Sequence, residues 1–100
     1  MSEVIVRYRI KPGHGEENRR LIQAVFAELD LGQPTGFRYA SFVTDDGLGF
    51  LHVASVADGA GNPLPGTESF KAFQSGLRAR CDVAPELAEV REIAAYRFWK

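Results

Sequence analysis

The sequence has little cysteine and no long apolar run. Cys81 is the single cysteine, so the chain cannot form an internal disulfide, which fits a reducing cytoplasm. No apolar stretch approaches the roughly 18 residues that a membrane helix needs. The first residues also lack the basic segment followed by an apolar segment that is typical of a signal peptide. We therefore predict a cytoplasmic protein that has no membrane partner.

An excess of charge and the spacing of metal ligands are absent too. The 12 Lys and Arg residues nearly balance 13 Asp and Glu residues, which argues against a nucleic-acid partner because such proteins normally carry a basic face. Two histidines and one cysteine do not have the spacing of a metal site. The Gly-x-Gly runs at Gly13, Gly47 and Gly59 do not continue into a dinucleotide fingerprint. These patterns predict neither a metal nor a dinucleotide.

Alternating and helical patterns predict a single domain over residues 1–100, with the order strand, helix, strand, strand, helix, strand. Proline- and glycine-rich segments separate most of these elements. The predicted bounds are a strand over Val4–Ile10, a helix from Glu16 to about Leu29, strands over Phe37–Thr44 and Phe50–Val56, a helix over Glu68–Cys81 with Thr67 as its N-cap, and a last strand over Arg91–Trp99. The stretch from Pro85 to Glu89 is ambiguous and fits one helical turn.

The pair Asp46-Gly47 predicts a two-residue hairpin turn of type I′. This turn places Ser41 opposite His52, Tyr39 opposite Ala54 and Val43 opposite Phe50. One face of the hairpin therefore carries the imidazole, the serine hydroxyl and a tyrosine.

The predicted sheet has apolar side chains on both faces, although two right-handed crossovers place both helices on one side. The uncovered face of the hairpin carries Ala40, Phe42, Leu51 and Val53. Burying a side chain such as Phe42 or Leu51 is worth about 1.5–3 kcal/mol. We therefore predict a homodimer that packs two sheets face to face, with a monomer that exposes some apolar atoms as the alternative.

Two short segments carry a family resemblance. Tyr8-Arg9-Ile10-Lys11-Pro12-Gly13 with Glu16-Glu17-Asn18, and later Ser69-Phe70-Lys71-Ala72-Phe73, resemble segments of antibiotic-biosynthesis monooxygenase-like domains. The resemblance implies an α+β fold of the ferredoxin-like type, βαββαβ with an antiparallel four-stranded sheet, doubled into a dimeric α/β barrel. It also implies a pocket between sheet and helices. Enzymes of this group oxidise aromatic polyketides or quinols with molecular oxygen and no added cofactor, whereas others degrade haem.

The chain departs from the family pattern in its second helix. Many relatives have a histidine before the phenylalanine, where this chain has Ser69. Members that degrade haem place an iron-ligating histidine on this helix, and Glu68–Cys81 contains none. These departures count against haem degradation.

His52 is the candidate catalytic residue, because a histidine near neutral pKa could take a proton from a bound phenol. The alternative is a histidine that packs and makes one hydrogen bond. An aromatic ligand would contact the surrounding polar and aromatic side chains, or these side chains simply form the core. The candidate substrate-binding residues are Tyr8, Tyr39, Ser41, Phe70, Phe73 and Tyr96.

Three functions remain open at this point. The first is a cofactor-independent oxygenase for an aromatic or quinol-like molecule, and the second is a non-catalytic binding protein with the same pocket. The third, an RNA-recognition domain, shares the element order but is disfavoured, since the chain is not basic and its third strand lacks the spaced aromatic residues. The Gly- and Pro-rich loop over residues 57–66 is either a lid over the pocket or a passive connection.

Overall fold

A computed structural model describes residues 2–98 and shows, in that range, a four-stranded antiparallel sheet with helices packed on one face. The elements follow each other as βαββαβ, with one extra short α-helix and a 3₁₀ turn over Leu64–Gly66. Their bounds are β1 Ser2–Ile10, α1 Gly15–Gly32, β2 Phe37–Val43, β3 Gly49–Val56, α2 Glu68–Ser75, α3 Leu77–Arg80 and β4 Cys81–Val90. The strand order in the sheet is β2-β3-β1-β4. This is the α+β, ferredoxin-like arrangement that the sequence predicts.

The β2–β3 hairpin has the predicted register but a different turn. Ser41 pairs with His52, Tyr39 with Ala54 and Val43 with Phe50. The turn is wider than two residues: the amide of Gly47 donates to the carbonyl of Thr44 at 2.9 Å, and Gly47 alone has a positive φ there, +78°. The type I′ prediction is therefore wrong, because that turn needs positive φ at both central residues.

The last strand is β4, Cys81–Val90, and not the predicted Arg91–Trp99. β4 pairs antiparallel with β1, with register shifts between Arg7 and Ile10. Pro85 is tolerated because β4 is an edge strand and Pro85 lies where the register shifts. The segment over residues 91–98 alternates in sequence but forms no strand, and Trp99 lies outside the described residues.

The predicted second helix is broken at Gly76. α2 ends at Ser75, α3 covers only Leu77–Arg80, and Cys81 begins β4 opposite Ile10. Cys81 therefore does not continue a helical stripe, although its side chain packs against the core as a free thiol. Burial raises the pKa of this thiol, which makes it less reactive as a nucleophile.

The core lies between the sheet and the helices. Inward-facing strand residues such as Tyr8, Ile10 and Phe50 pack against Val25 of α1 and Phe73 of α2. The alternation of β1 and β3 and the three- and four-residue spacing of the helices produce this one-sided burial.

Polar contacts tie the two long helices together at the start of α2. The N-cap Thr67 accepts a hydrogen bond from the Phe70 amide, as its position in the sequence predicts. Glu28 of α1 accepts hydrogen bonds from the amide and hydroxyl of Ser69, at 3.0 and 2.6 Å. These hydrogen bonds to Ser69 lower the pKa of Glu28. α2 is thereby held over the sheet at a defined position.

The opposite face of the sheet, which we call the outer face, has none of the helices of residues 2–98 packed on it. Phe42 is 46% exposed there, beside its pairing partner Leu51. Two arginines on this face form ion pairs within the chain, Arg7 with Glu86 and Arg9 with Asp46. The outer face is therefore partly apolar at its β2–β3 side.

Candidate active site

Side chains from β1, β2 and β3 meet around the imidazole of His52 on the helix-covered face of the sheet. Nε2 of His52 lies 2.7 Å from Oη of Tyr8. Nδ1 of His52 lies 2.6 Å from Oγ of Ser41 and 3.3 Å from Oη of Tyr39. Strand alternation and the antiparallel register bring these four residues together, as the sequence predicts for the hairpin pair.

The imidazole is buried and uncharged. His52 is 5% exposed, and burial lowers its pKa to about 4. Aromatic rings surround it: Tyr8 and Tyr39 stack at centroid distances of 5.4 and 5.9 Å, and Phe73 presents its edge at 5.7 Å. The near-neutral pKa expected of His52 is therefore not what this environment produces, because desolvation disfavours the imidazolium.

The two tyrosines beside His52 are also held in their neutral forms. Burial raises the pKa of Tyr39 to about 12. Burial raises the pKa of Tyr8 even further, opposed in part by the hydrogen bond from Asn18. Both phenols therefore carry their hydrogens at physiological pH and can donate hydrogen bonds.

Two buried polar residues that the sequence did not indicate as site residues extend this group. Asn18 of α1 is fully buried, and its Nδ2 donates to Oη of Tyr8 at 3.0 Å. Arg80 of α3 donates from Nε and Nη2 to Oδ1 of Asn18 at 3.2 and 3.1 Å, and from Nη2 to the Phe73 carbonyl at 2.9 Å. We use the name buried network for the series of hydrogen-bonded side chains Arg80, Asn18, Tyr8, His52 and Ser41.

The sequence pattern indicates that Asn18 is buried, but it gives no such indication for Arg80. Asn18 precedes Leu21, Ile22 and Val25 by three, four and seven residues, so it continues the apolar stripe of α1 with a polar side chain. Arg80 looks like any cation near a helix end, where positive charge is favoured in any case. Its role depends on the break at Gly76, which only the tertiary structure reveals.

A cavity of about 530 Å³ lies between the sheet and α2, and we call it the α2 cavity. The imidazole of His52 and the ring of Tyr8 line it on the sheet side, and Phe70 and Phe73 line it on the helix side. The loop over residues 57–66 contributes Asn62 and Leu64 to its wall, and Leu64 is buried. This part of the loop therefore belongs to the wall of the cavity.

A second concavity, the β2 groove, lies between α1 and β2 and measures about 630 Å³. Ser41 lines this groove and not the α2 cavity, whereas Tyr39 borders both. Phe26 of α1 stacks on Tyr39 at a centroid distance of 5.1 Å and forms part of the groove wall. The buried network thus reaches from the floor of the α2 cavity to the β2 groove.

Tyr96 does not join the other predicted ligand-binding residues. It is 83% exposed and borders a shallow depression with Ile5 and Val53, whose side chains lie on the outer face. The sequence grouped Tyr96 with these residues because it assumed a last strand over residues 91–99, but the structure has no strand over residues 91–98 and places Tyr96 outside both concavities. The remaining predicted residues, Tyr8, Tyr39, Ser41, His52, Phe70 and Phe73, do surround the two concavities.

The other candidate residues lie outside this site. His14 is in the exposed loop before α1, as its glycine neighbours indicate, and contacts Glu17. Residues 2–98 contain no cluster of three metal-ligating side chains. Within the same range, no helix combines the length and the apolar character needed to cross a bilayer.

Comparisons with known proteins give matches at the level of structure only. No family model matches the chain, and no curated protein matches it. PA3566 from Pseudomonas aeruginosa is 22% identical with a TM-score of 0.72, over 93% of this chain and 94% of that one. A variant of SnoaB, a cofactor-independent oxygenase from Streptomyces nogalater, is 15% identical with a TM-score of 0.68, over 96% of each chain.

A third solved structure, described as an antibiotic biosynthesis monooxygenase, is 16% identical with a TM-score of 0.70, over 94% of this chain and 100% of that one. All three likenesses extend over nearly the whole chain, but identities this low establish shape and not chemistry. The protein therefore has the fold of the antibiotic biosynthesis monooxygenase-like structures, as the sequence resemblance implies.

Proposed function

We propose that this protein is an antibiotic biosynthesis monooxygenase-like enzyme that binds a phenol or quinol in the α2 cavity and oxidises it with molecular oxygen, without an added cofactor. The observation that carries the proposal is the neutral imidazole of His52 in the wall of an aromatic-lined cavity. The fold shared with a cofactor-independent oxygenase supports it.

The α2 cavity suits a flat aromatic ligand. Phe70 and Phe73 offer ring faces and edges on one side, with ring centroids 6.1 Å apart. Tyr8 and His52 supply polar atoms on the other side. Apolar walls with a few placed polar groups are typical of small-molecule sites, because the walls provide affinity and the polar groups provide orientation.

In this proposal His52 is the final acceptor of the ligand's hydroxyl proton. Its lowered pKa means that charging it costs roughly 3 kcal/mol more than charging a histidine in water. A phenolate formed in the same cavity offsets this cost, since opposite charges attract strongly where water is excluded. The imidazolium therefore forms together with the ligand anion and not by itself.

The anion matters because it gives up an electron to oxygen more readily than the neutral phenol. When a quinol is oxidised, two protons and two electrons pass to O₂, which becomes hydrogen peroxide. When the ligand is a phenol whose keto tautomer has a ring CH₂ group, as in an anthrone, one oxygen atom of O₂ replaces both hydrogens of that group as a carbonyl and the other leaves as water. In both reactions O₂ is the oxidant and His52 returns its proton to the reduced oxygen.

A non-catalytic binding protein is the second candidate, and one observation favours it. Both ring nitrogens of His52 are already in contact with protein hydroxyls. A histidine satisfied in this way also serves simply to hold the cavity wall in place.

The experiment measures oxygen uptake and product formation with hydroquinones, naphthols and anthrones. We expect the wild-type protein to oxidise at least one class above the buffer rate, and His52→Gln to lower that rate by about 10²–10⁴-fold. His14→Gln is the matched control, because His14 is an exposed histidine outside the site. Its rate should equal that of the wild type.

Binding of the same compounds, measured by saturation-transfer NMR, separates the two candidates. Ligands that bind but are not oxidised by either wild type or His52→Gln identify a binding protein and overturn the enzyme proposal. Absence of both binding and oxidation across the panel contradicts both candidates.

We also propose that the protein is a homodimer joined through the outer face of the sheet and located in the cytoplasm. Phe42 and Leu51, neighbours across β2 and β3, support the dimer because their apolar surface is not covered by either long helix. The single cysteine supports the location.

A further inference from the structure

The hydrogen bonds of the buried network run from donor to acceptor in an order that begins at Arg80. A guanidinium group only donates hydrogen bonds, so the Asn18 atom that faces it must be the amide oxygen. Both Nε and Nη2 of Arg80 contact this oxygen, at 3.2 and 3.1 Å. Arg80 is itself held by the Phe73 carbonyl and lies over the Phe73 ring at 5.6 Å. The orientation of the Asn18 amide is therefore determined by its partner.

The fixed amide then determines which way Tyr8 is turned. Because the oxygen of Asn18 faces Arg80, its nitrogen faces Tyr8, and an amide nitrogen only donates. Oη of Tyr8 thus accepts one hydrogen bond from Asn18. The hydroxyl hydrogen of Tyr8 has Nε2 of His52 at 2.7 Å as its acceptor.

The same order of donors and acceptors determines which nitrogen of the His52 imidazole carries the hydrogen. A neutral histidine carries one N–H, and if Nε2 accepts from Tyr8, the hydrogen is on Nδ1. Nδ1 then donates to Oγ of Ser41 at 2.6 Å. The opposite tautomer would leave the hydroxyl hydrogen of buried Tyr8 without an acceptor among these contacts, at a cost of about 1–3 kcal/mol.

We propose that Arg80 and Asn18 are positioning residues that hold His52 as the Nδ1–H tautomer and make Tyr8 the residue through which a ligand's proton reaches it. The inference about proton transfer rests on the proposed function, whereas the tautomer does not. In the transfer, the ligand O–H bond breaks as a new O–H bond forms on Oη of Tyr8, and the original Tyr8 hydrogen moves to Nε2 of His52. The result is a ligand anion, a neutral tyrosine and an imidazolium that donates from both nitrogens.

This arrangement assigns different tasks to the two ends of the network. Tyr8 lines the α2 cavity, so in this proposal it is the residue that contacts the ligand. Ser41 accepts from Nδ1, so its own hydrogen remains for Tyr39 or for a molecule in the β2 groove. Asn18 and Arg80 line neither concavity, so in this proposal they act on the ligand only through Tyr8.

The test uses Asn18→Asp, which is nearly the same shape but replaces the donating nitrogen by an accepting oxygen. The new carboxylate accepts from Arg80 and from the Tyr8 hydroxyl, so Oη of Tyr8 must then accept from Nε2 of His52. We expect long-range ¹⁵N–¹H NMR to show the His52 hydrogen on Nδ1 in the wild type and on Nε2 in Asn18→Asp. A residue that only filled space would not switch the tautomer.

Asn62→Asp is the matched control, because Asn62 also lines the α2 cavity but its Oδ1 accepts from the Leu64 amide and lies outside the network. The His52 hydrogen should stay on Nδ1 in this variant. A wild-type protein with the hydrogen on Nε2, or an Asn18→Asp protein with an unchanged tautomer, overturns the inference. The wild-type spectrum decides the matter even if Asn18→Asp does not fold. The NMR readout does not depend on turnover, so an inactive protein that shows the switch contradicts only the proposed function.

Discussion

At the residue scale, the central feature of the protein is one buried histidine, His52, which is uncharged at neutral pH. His52 has hydroxyl partners at both ring nitrogens, and no carboxylate of residues 2–98 forms a hydrogen bond with it. Desolvation therefore acts on its pKa without an opposing negative charge. An imidazole in this state is a hydrogen-bonding residue at neutral pH, and it becomes a cation only when an anion is formed next to it.

The burial of His52 predicts a specific loss of stability in weak acid. Its pKa in the folded protein, about 4, lies below the ordinary value of 6.5, so the unfolded chain binds the proton more readily. The stabilisation is complete above the unfolded pKa and is lost as the pH falls toward the folded pKa. We expect the free energy of unfolding, measured in urea, to fall by roughly 2 kcal/mol from pH 7.5 to pH 5 on this account.

Two variants assign that loss to its source. In His52→Gln the pH dependence between pH 7.5 and 5 should largely vanish, whereas His14→Gln should keep it. Glu28 and Asp46, whose pKa values are lowered by hydrogen bonds, add acid sensitivity only below about their ordinary values of 4.5 and 3.8. An unchanged slope in His52→Gln would contradict the environment described for this residue.

At the element scale, the connections decide where the cavity walls lie. The loop after β3 packs back onto the start of β2, where the amide of Ala57 donates to the carbonyl of Gly36 at 2.8 Å. The same loop then supplies Asn62 and Leu64 to the α2 cavity. The beginning of β2 and the cavity wall are therefore coupled through a few backbone contacts.

Gly36→Ala tests this coupling. Gly36 has a φ of +72°, and a Cβ placed there would come within 2.8 Å of the Cβ of Ala60. Backbone strain and the clash both destabilise the folded state, and we expect the free energy of unfolding, measured in urea, to fall by about 1–3 kcal/mol. Gly61→Ala is the control, because a Cβ there meets nothing within 4 Å and no positive φ is required. That variant should stay within about 0.5 kcal/mol of the wild type, and equal losses in both would contradict the argument.

At the scale of the whole molecule, the helices shelter only one face of the sheet. The outer face presents Phe42 beside Leu51. The segment over residues 91–98 borders another part of this face near Ile5 and Val53. A second copy of the chain is the simplest cover for the remainder, since an identical sheet offers the same apolar surface.

Phe42→Glu tests the proposed dimer. We expect the wild type to elute as a dimer in size-exclusion chromatography with light scattering at micromolar concentration, and Phe42→Glu to have half that mass. Leu31→Glu is the control, because Leu31 is 88% exposed but lies at the end of α1 and not on the sheet. It should remain a dimer. A monomeric wild type would sink the proposal.

The sequence by itself determined the element order, the hairpin register and most of the residues around His52. These follow from local rules: alternation in strands sends Tyr39, Ser41 and His52 to one face, and helical spacing sends Phe70 and Phe73 toward it. The turn type was missed because Asp46-Gly47 also fits a wider loop, in which only Gly47 needs a positive φ.

Only the tertiary structure decided which C-terminal segment pairs with β1 and how the buried network is built. The free edge of β1 can pair with only one segment. Because the second helix is broken at Gly76, the segment over residues 81–90 begins beside Ile10 and forms this strand, and the segment over residues 91–98 does not. Arg80 and Asn18 are 62 positions apart, so no local pattern relates them. The two side chains are in contact because a buried polar group needs a hydrogen-bond partner, and only the folded chain brings such a partner close.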